Sequence, residues 1–314
     1  MYDIVALGEV LIDFTYYGIS ENSNALFEQN PGGAPANVLA LAAGFGLKTA
    51  FIGKIGTDMH GDFLRKVLDD KGIDTSGLVA VDNVFTTLAF VKLHDGERSF
   101  SFARKPGADI MLTADEVNLE IVRNTKIFHF GSLSLTDEPS KTALLAAIDA
   151  AKKAGAIISY DPNYRAPLWS SEAEAIKQMR SVVKFADIIK ISDEETELLT
   201  GEADPEKAAR ALLAQGLQCA IVTLGEDGAL VANREGFLHK KSRACDVVDT
   251  TGAGDTFWGS FLYRLIQSGK LPAEHSLSEL ADYIKFANAA AGMCVGKRGA
   301  MPSMPSLAEV NATL

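Results

Sequence analysis

The stretch from Asp249 to Gly259, DTTGAGDTFWG, sets three small residues, Gly252-Ala253-Gly254, directly before a lone acid, Asp255, and then opens an apolar run. Phe257, Phe261, Leu262, Leu265 and Ile266 recur at helical spacing, so a helix begins near Gly252, with Thr250 or Thr251 able to cap it. The amides of a helix's first turn lack intrahelical partners and carry the positive end of its dipole, and small residues let a phosphate approach that bare backbone. Such a turn can hold an anion. A carboxylate one residue further on can orient an attacking hydroxyl and take its proton, so the two parts together suit phosphoryl transfer. The plainer alternative is that Asp255 complements the helix dipole and the glycines only make a tight turn. The turn is not a Walker A loop, because GxxxxGK[ST] occurs nowhere in the chain.

Positioning such a turn takes a framework of strands and helices. Short β-rich runs, IVALG, AFIGKIG, KIFHFG, AIISYD, DIIKIS, AIVTLG and GALVAN, alternate with APANVLALAAGFG, GDFLRKVLDDKG, SKTALLAAIDAAKKAG and PEKAARALLAQG, whose apolar residues fall three to four apart. That alternation reads as a doubly wound α/β sheet. One segment breaks it: Thr86 to Ala103 reads as two strands about an Asp95-Gly96 turn, a hairpin where a helix was due. No internal repeat, low-complexity tract or Pro/Ser-rich linker interrupts the chain, so residues 1–314 are expected to form one domain with a small β appendage.

With 314 residues and 47% hydrophobic content the chain can bury a large core. A formal charge of −11 argues against a nucleic-acid groove or an anionic membrane as the main partner. Cys219, Cys245 and Cys294 are odd in number, far apart and without metal-ligand spacing, which suggests buried reduced thiols rather than a zinc site. No window is long and apolar enough to span a bilayer, and Met1 runs into a strand-like segment without a basic leader, so a cytoplasmic location is expected.

Several separated motifs then point the same way. DTTGAGDTFWGSF resembles the C-terminal signature of the PfkB family of carbohydrate kinases, and GGAPAN followed by FIGKIGTDMHGDFL resembles its N-terminal signature. DPNYR, VTLGEDGA and RGAMPSMP fall in family order, so the resemblance covers essentially the whole chain. It implies a ribokinase-like three-layer α/β fold, with a mostly parallel central sheet flanked by helices and a small β-sheet lid drawn from segments within about 12–30 and 84–106.

The resemblance also implies roles. Asp255 becomes the base for the sugar hydroxyl, below the amides of Gly252, Ala253 and Gly254. KISDEETELLTG resembles the family's Asn-x-x-Glu element: Glu195 takes the acidic position that organises magnesium through water, and Lys190 and Ser192 fall on the nucleotide side, Ser192 standing where many members have Asn. Read alone, Asp193, Glu194 and Glu195 are equally well explained as favourable acids in a first turn. Thr223, Gly225 and Gly228 match the loop that passes ATP, and Asn288 is either in the adenine pocket or a solvated helix residue. Potassium is implied beside the anion hole, in a ring drawing on Asp249, Thr251, Cys294, Lys297, Gly299 and Ser303. On the sugar side stand Asp13, either an acceptor of sugar hydroxyls or an exposed strand-end acid, and the loop of Gly32, Gly33 and Asn37. Asn163 and Arg165 would face the reacting centre, Arg165 bridging phosphate oxygens unless it forms a surface ion pair.

Within the family, Phe-x-Phe-x-Arg followed by Pro-Gly-Ala-Asp, in GERSFSFARKPGAD, resembles bacterial and plant fructokinases, as do GEVLIDF, DPNYRAPLW and Ser192 itself. Arg104 would then reach the sugar from the lid, with Phe100 and Phe102 excluding water, although such alternation also suits ordinary hairpin packing. The implied reaction is ATP-dependent phosphorylation of D-fructose to fructose 6-phosphate. Ketodeoxygluconate, ribose or an aminoimidazole riboside as substrate, and a non-catalytic sugar or nucleotide sensor, remain open. So does assembly: a homodimer through the lid, or a lid working in a monomer. His129, between Phe128 and Phe130, reads as a satisfied core histidine, and Trp258 and Trp169 as packing beside the site.

Overall fold

A computed structural model describes residues 1–94 and 97–314, and side chains over 1–91 and 101–314. The expected Asp95-Gly96 turn and the Phe100 side chain lie outside the described residues. The chain runs β1 (Tyr2–Leu7), β2 (Leu11–Ile19), β3 (Ala25–Gly32), α1 (Ala34–Gly44), β4 (Thr49–Gly56), α2 (Met59–Asp70), β5 (Asp74–Val81), β6 (Leu88–His94) and β7 (Glu97–Ala103). It continues with α3 (Leu119–Arg123), β8 (Thr125–Phe130), α4 (Ser140–Lys153), β9 (Ile157–Tyr160), α5 (Glu172–Val183), β10 (Ile188–Ser192), α6 (Asp193–Thr200) and α7 (Pro205–Leu213). The last elements are β11 (Cys219–Thr223), β12 (Ala229–Asn233), β13 (Gly236–Lys240), α8 (Ala253–Ser268), α9 (Leu277–Cys294) and α10 (Leu307–Ala312).

Among the described residues the strands form two sheets. The larger has the order β13-β12-β11-β10-β9-β8-β1-β4-β5, parallel from β5 through to β11 and antiparallel at β12 and β13. Its strands are apolar at successive positions because both faces are covered. In β1, Val5 and Leu7 join Phe128, Phe130 and Ile158 under α3 to α7, while Ile4 and Ala6 join Phe51 and Ile221 under α1, α2, α8 and α9. The order turns back on itself beside β1, with β4 on one side and β8 on the other, and a crevice at the carboxyl ends of the strands follows from that reversal.

The smaller sheet has the order β3-β2-β6-β7, β2 and β6 being parallel and the outer pairs antiparallel. It draws on both segments expected to form the appendage, and it stands against the body where β2 meets α2 and where β3 meets the single turn Met301–Ser303. Two sequence expectations change. Cys245 is exposed rather than buried. The cap of α8 is Gly252, in the left-handed region at φ 77°, and neither threonine fills that place, because the Thr251 hydroxyl donates to Asp249 instead. No described helix is long and apolar enough to cross a membrane.

Candidate active site

Asn37, Asn163 and Lys190 meet the start of α8, the latter two from the carboxyl ends of β9 and β10. Gly252 is required there twice over: its φ is positive, and a Cβ would lie 2.7 Å from the Ala300 Cβ. The Ala253 amide donates to the Thr250 carbonyl at 3.3 Å, closing the turn from which α8 departs. At Gly254 a Cβ would stand 3.1 Å from Lys190 Nζ, so an ammonium group lies against the first turn of the helix.

Asp255 is buried, and both of its oxygens accept from amide side chains, Oδ2 from Asn37 at 2.8 Å and Oδ1 from Asn163 at 3.4 Å. The reach from Asn37 spans most of the chain and is possible because α1 packs against α8. Burial pushes the Asp255 carboxyl up to about 6, with Asp161 adding to the rise while Lys190, Asn37 and Arg165 oppose it. A carboxyl in that range at neutral pH is ionised yet basic enough to take a proton. Asn163 itself sits at φ 48°, in the irregular segment that follows β9.

Behind Asp255 lies a buried group of charges that carried only partial signals in the sequence. Lys190 Nζ donates to Asp161 Oδ2 at 2.8 Å, and Asp161 Oδ1 is buried without a hydrogen-bond partner. Glu195 accepts the Tyr164 amide on Oε1 at 2.7 Å and the Ser192 amide on Oε2 at 2.8 Å, so it ties the ends of β9 and β10 together. Ser192 caps α6, and Asp193, Glu194 and Glu195 form its first turn, so the first-turn explanation and the clustering with Asp161 hold together. Burial, and then the nearby Asp161, push the Glu195 carboxyl upward. Asp161, the first residue of DPNYR, is missing from the residues expected at the site, and its one sequence signal is an acid at the end of a strand. No group of three His, Cys, Asp or Glu poised for a metal occurs among the described residues. An unsatisfied carboxylate oxygen beside Glu195 nevertheless suits a hard cation brought in with a substrate.

On the other side of Asp255, Asp13 of β2 lies over Gly32, where a Cβ would meet its Oδ2, and Gly33 stands at φ 108° with a Cβ position 2.4 Å from the Glu9 carbonyl oxygen. Glu9 was not anticipated. Its Oε1 accepts the Ala34 amide at 2.9 Å, doing for α1 what its side-chain-free cap Gly33 cannot, and burial raises its carboxyl to about 7. Arg104 leaves the end of β7 and turns into the body, where it pairs with Asp109 at 2.7 Å and donates to Thr136 Oγ1 at 3.0 Å and the Leu133 carbonyl at 2.9 Å. Those contacts hold it at the root of the small sheet. Phe102 is half-buried on β7, opposite Ala89.

Residues 1–307 match the pfkB family of carbohydrate kinases. The chain belongs to that family. It is 43% identical to Fructokinase-1 of Zea mays over 311 residues, 98% of this chain and 96% of that one. Among solved structures it resembles a fructokinase from Xylella fastidiosa with bound ATP, at 32% identity and a TM-score of 0.89, covering 99% of this chain and 97% of the other. It also resembles a fructokinase from Vibrio cholerae O395 in its fructose, ADP and calcium ion bound form, at 33% identity and a TM-score of 0.88, covering 99% and 98%. The fold is therefore the ribokinase-like fold of these sugar kinases, and the protein is an enzyme of that class.

The remaining sites of this pfkB-family kinase are placed as follows. Thr223 Oγ1 donates to the Ile191 carbonyl at 3.3 Å, and Gly225 and Gly228 frame a single turn after β11, with Gly228 pressed against the Lys240 carbonyl. Asn288 of α9 donates to that carbonyl at 3.0 Å, so its amide joins α9 to the end of β13. Asp249 holds the Thr251 amide and hydroxyl on Oδ1 and the Gly299 amide on Oδ2 at 3.0 Å. Cys294 Sγ lies 2.9 Å from Ser303 Oγ and 3.9 Å from the Thr251 carbonyl, and the Lys297 amide donates to the Cys294 carbonyl while its side chain faces solvent. Asp249, Thr251, Cys294, Gly299 and Ser303 are thus joined by hydrogen bonds beside Gly252, and Lys297 joins them through its backbone. Arg165 is largely exposed, donates to the Tyr164 carbonyl and acts on Asp255 through its charge. His129 is buried and only half satisfied: Nδ1 meets Ser159 Oγ at 3.0 Å, Nε2 has no partner, and burial lowers its pKa to about 3. Trp258 Nε1 donates to the same Ser159 hydroxyl.

Proposed function

We propose that the protein transfers the γ-phosphoryl group of ATP to the primary hydroxyl of D-fructose, giving fructose 6-phosphate. The observation that carries this reading is Asp255: a buried carboxyl raised to about 6, fixed by Asn37 and Asn163 one residue beyond the small-residue turn, with Lys190 against that turn. The likeness to plant and bacterial fructokinases supports fructose as the acceptor.

In this reading the sugar lies between Asp13, Gly32 and Gly33 on one side and Asp255 on the other. The Asn37 and Asn163 amides orient the carboxylate, which takes the hydroxyl proton as the oxygen attacks in line. Negative charge that spreads over the transferring oxygens meets the first-turn amides of α8 and Lys190, both in place before the reaction. Magnesium arriving with ATP would neutralise the phosphates, and Asp161, through its unpartnered Oδ1, and Glu195, through water, would hold it. Thr223, Gly225, Gly228 and Asn288 border the nucleotide. Potassium is the cation proposed for the carbonyl-rich ring around Asp249, Thr251, Gly299 and Ser303. The small sheet is the lid that excludes water, and its exposed apolar side chains, Tyr17, Ile19, Leu26 and Phe27, offer surface for a second copy to cover.

The test is ADP production with magnesium ATP across fructose, ribose, ketodeoxygluconate, aminoimidazole riboside and glucose. High kcat/KM for fructose alone is the expected result, whereas activity on another sugar overturns the acceptor but keeps the chemistry. Absence of any sugar-dependent ADP replaces the kinase by a sensor. Asp255→Asn is expected to fold and lose at least about 1,000-fold in kcat, and wild-type turnover in that variant would reject Asp255 as the base.

A further inference from the structure

We propose that Arg298 is a positioning residue that ties the loop supporting the anion-binding turn to the sheet above the sugar, so that covering the acceptor and completing the turn become one event. The proposal rests on the kinase reading above. The segment from Lys297 to Ser303 has two working sides. Toward the body, the Gly299 amide donates to Asp249 Oδ2 at 3.0 Å, Ala300 is packed so tightly on Gly252 that no Cβ fits there, and Ser303 meets Cys294 at 2.9 Å. Toward the small sheet, the Arg298 guanidinium donates through Nη2 to the Tyr16 carbonyl of β2 at 3.1 Å and through Nε to the Glu28 carboxylate of β3 at 3.3 Å. The same group stands 5.6 Å from the centre of the Tyr17 ring. Beside it, Asn30 of β3 lies against Gly299, within 3.0 Å of where a Cβ would be, and donates to Thr15 Oγ1 of β2.

Three consecutive residues, Arg298, Gly299 and Ala300, therefore grip β2 and β3 and form the wall behind Gly252. A shift of β2 and β3 relative to the body must either carry this segment along or break its contacts, and carrying it along moves the support of the turn. The ion pair alone would be weak, since Arg298 is 43% and Glu28 39% exposed. The fork of a guanidinium adds what a point charge cannot: a bond to a carbonyl, a bond to a carboxylate and a face for an aromatic ring at the same time. Lysine at this position could keep the Glu28 pair and would lose the rest.

Backbone amide exchange of the intact protein, with Arg298→Ala and Arg298→Lys beside the wild type, tests the tie without relying on turnover. In Arg298→Ala the amides of residues 12–19 and 25–32 are expected to exchange about 5–10-fold faster, with β9, β10 and β11 unchanged and the lysine variant close to the alanine one. A non-hydrolysable ATP analogue with magnesium is expected to slow exchange in those strands in the wild type and to have lost that effect in Arg298→Ala. In kinetics the alanine variant is expected to raise the sugar KM about 5–10-fold and to release ADP without sugar, a leak that simple loss of stability does not produce. Wild-type exchange in the variant, or undiminished protection by the analogue, overturns the proposal. If the wild type makes no ADP with any sugar, the kinase reading fails, while the exchange experiment still decides whether loop and sheet are tied.

Discussion

A base that works near neutral pH is a compromise between being ionised and being basic, and at Asp255 the compromise is struck by burial against Lys190. The acid limb of kcat/KM is expected near pH 6. Lys190→Met, which removes the main cation opposing the rise, is expected to move that limb upward and to lower turnover about 100-fold, read from a pH profile. The same shift has a thermodynamic sign. Between about pH 4 and 6 the folded protein keeps a proton that the unfolded chain has released, so this group's contribution to stability falls as pH rises and the loss is complete above 6. Asp255→Asn is therefore expected to be the more stable protein at pH 7.5, by roughly 1–3 kcal/mol, with the gain vanishing at about pH 4. Urea denaturation at the two pH values reads it, and equal gains at both would contradict the sign. Which residues would surround Asp255 was only partly legible. Asn163 follows from its place at a strand end, whereas Asn37 meets Asp255 across 218 residues, and Asp161 was hidden by the more conspicuous asparagine and arginine after it.

Among the elements, α8 was the easiest to foresee and its first turn the hardest. Phe257, Phe261, Leu262 and Leu265 are all buried at the spacing expected, because a helix laid on a sheet obeys a local rule. The cap obeys a tertiary one: Asp249 holds Thr251, and Ala300 leaves room only for glycine at 252. Gly252→Ala is expected to cost about 1–3 kcal/mol from its positive φ and to lower kcat at least 10-fold by pushing the turn off Ala300. Chemical denaturation and initial rates measure the two effects, and a fully active, equally stable variant would show that the turn tolerates a side chain. The partners of Arg104 are set the same way: only the packing of the small sheet's root brings it to Asp109 and the Leu133 carbonyl.

For the whole molecule, the alternation of strands and helices was enough to anticipate the large sheet, since each βα repeat buries apolar residues on a face it can reach. The pairing of β2 and β3 with β6 and β7 joins segments that local pattern cannot connect. That small sheet leaves Tyr17, Ile19, Leu26 and Phe27 exposed, and wild-type protein is expected to sediment as a dimer of its 33.5 kDa chain. Ile19→Asp with Leu26→Asp is expected to give monomers, and a wild type already monomeric at micromolar concentration would remove the second copy from the reading.

The packing of α1 on α8 also sets a timetable for synthesis. When the ribosome has made Asn37, the helix that must cover that side of α1 is still about 10–40 seconds away at ordinary elongation rates. Through that interval Val38, Leu39 and Leu41 lack part of their final cover, and the nascent chain has sticky surface to shield. A product ending before Gly252 is expected in the insoluble fraction, bound by chaperones, even though every strand of both sheets has already been made.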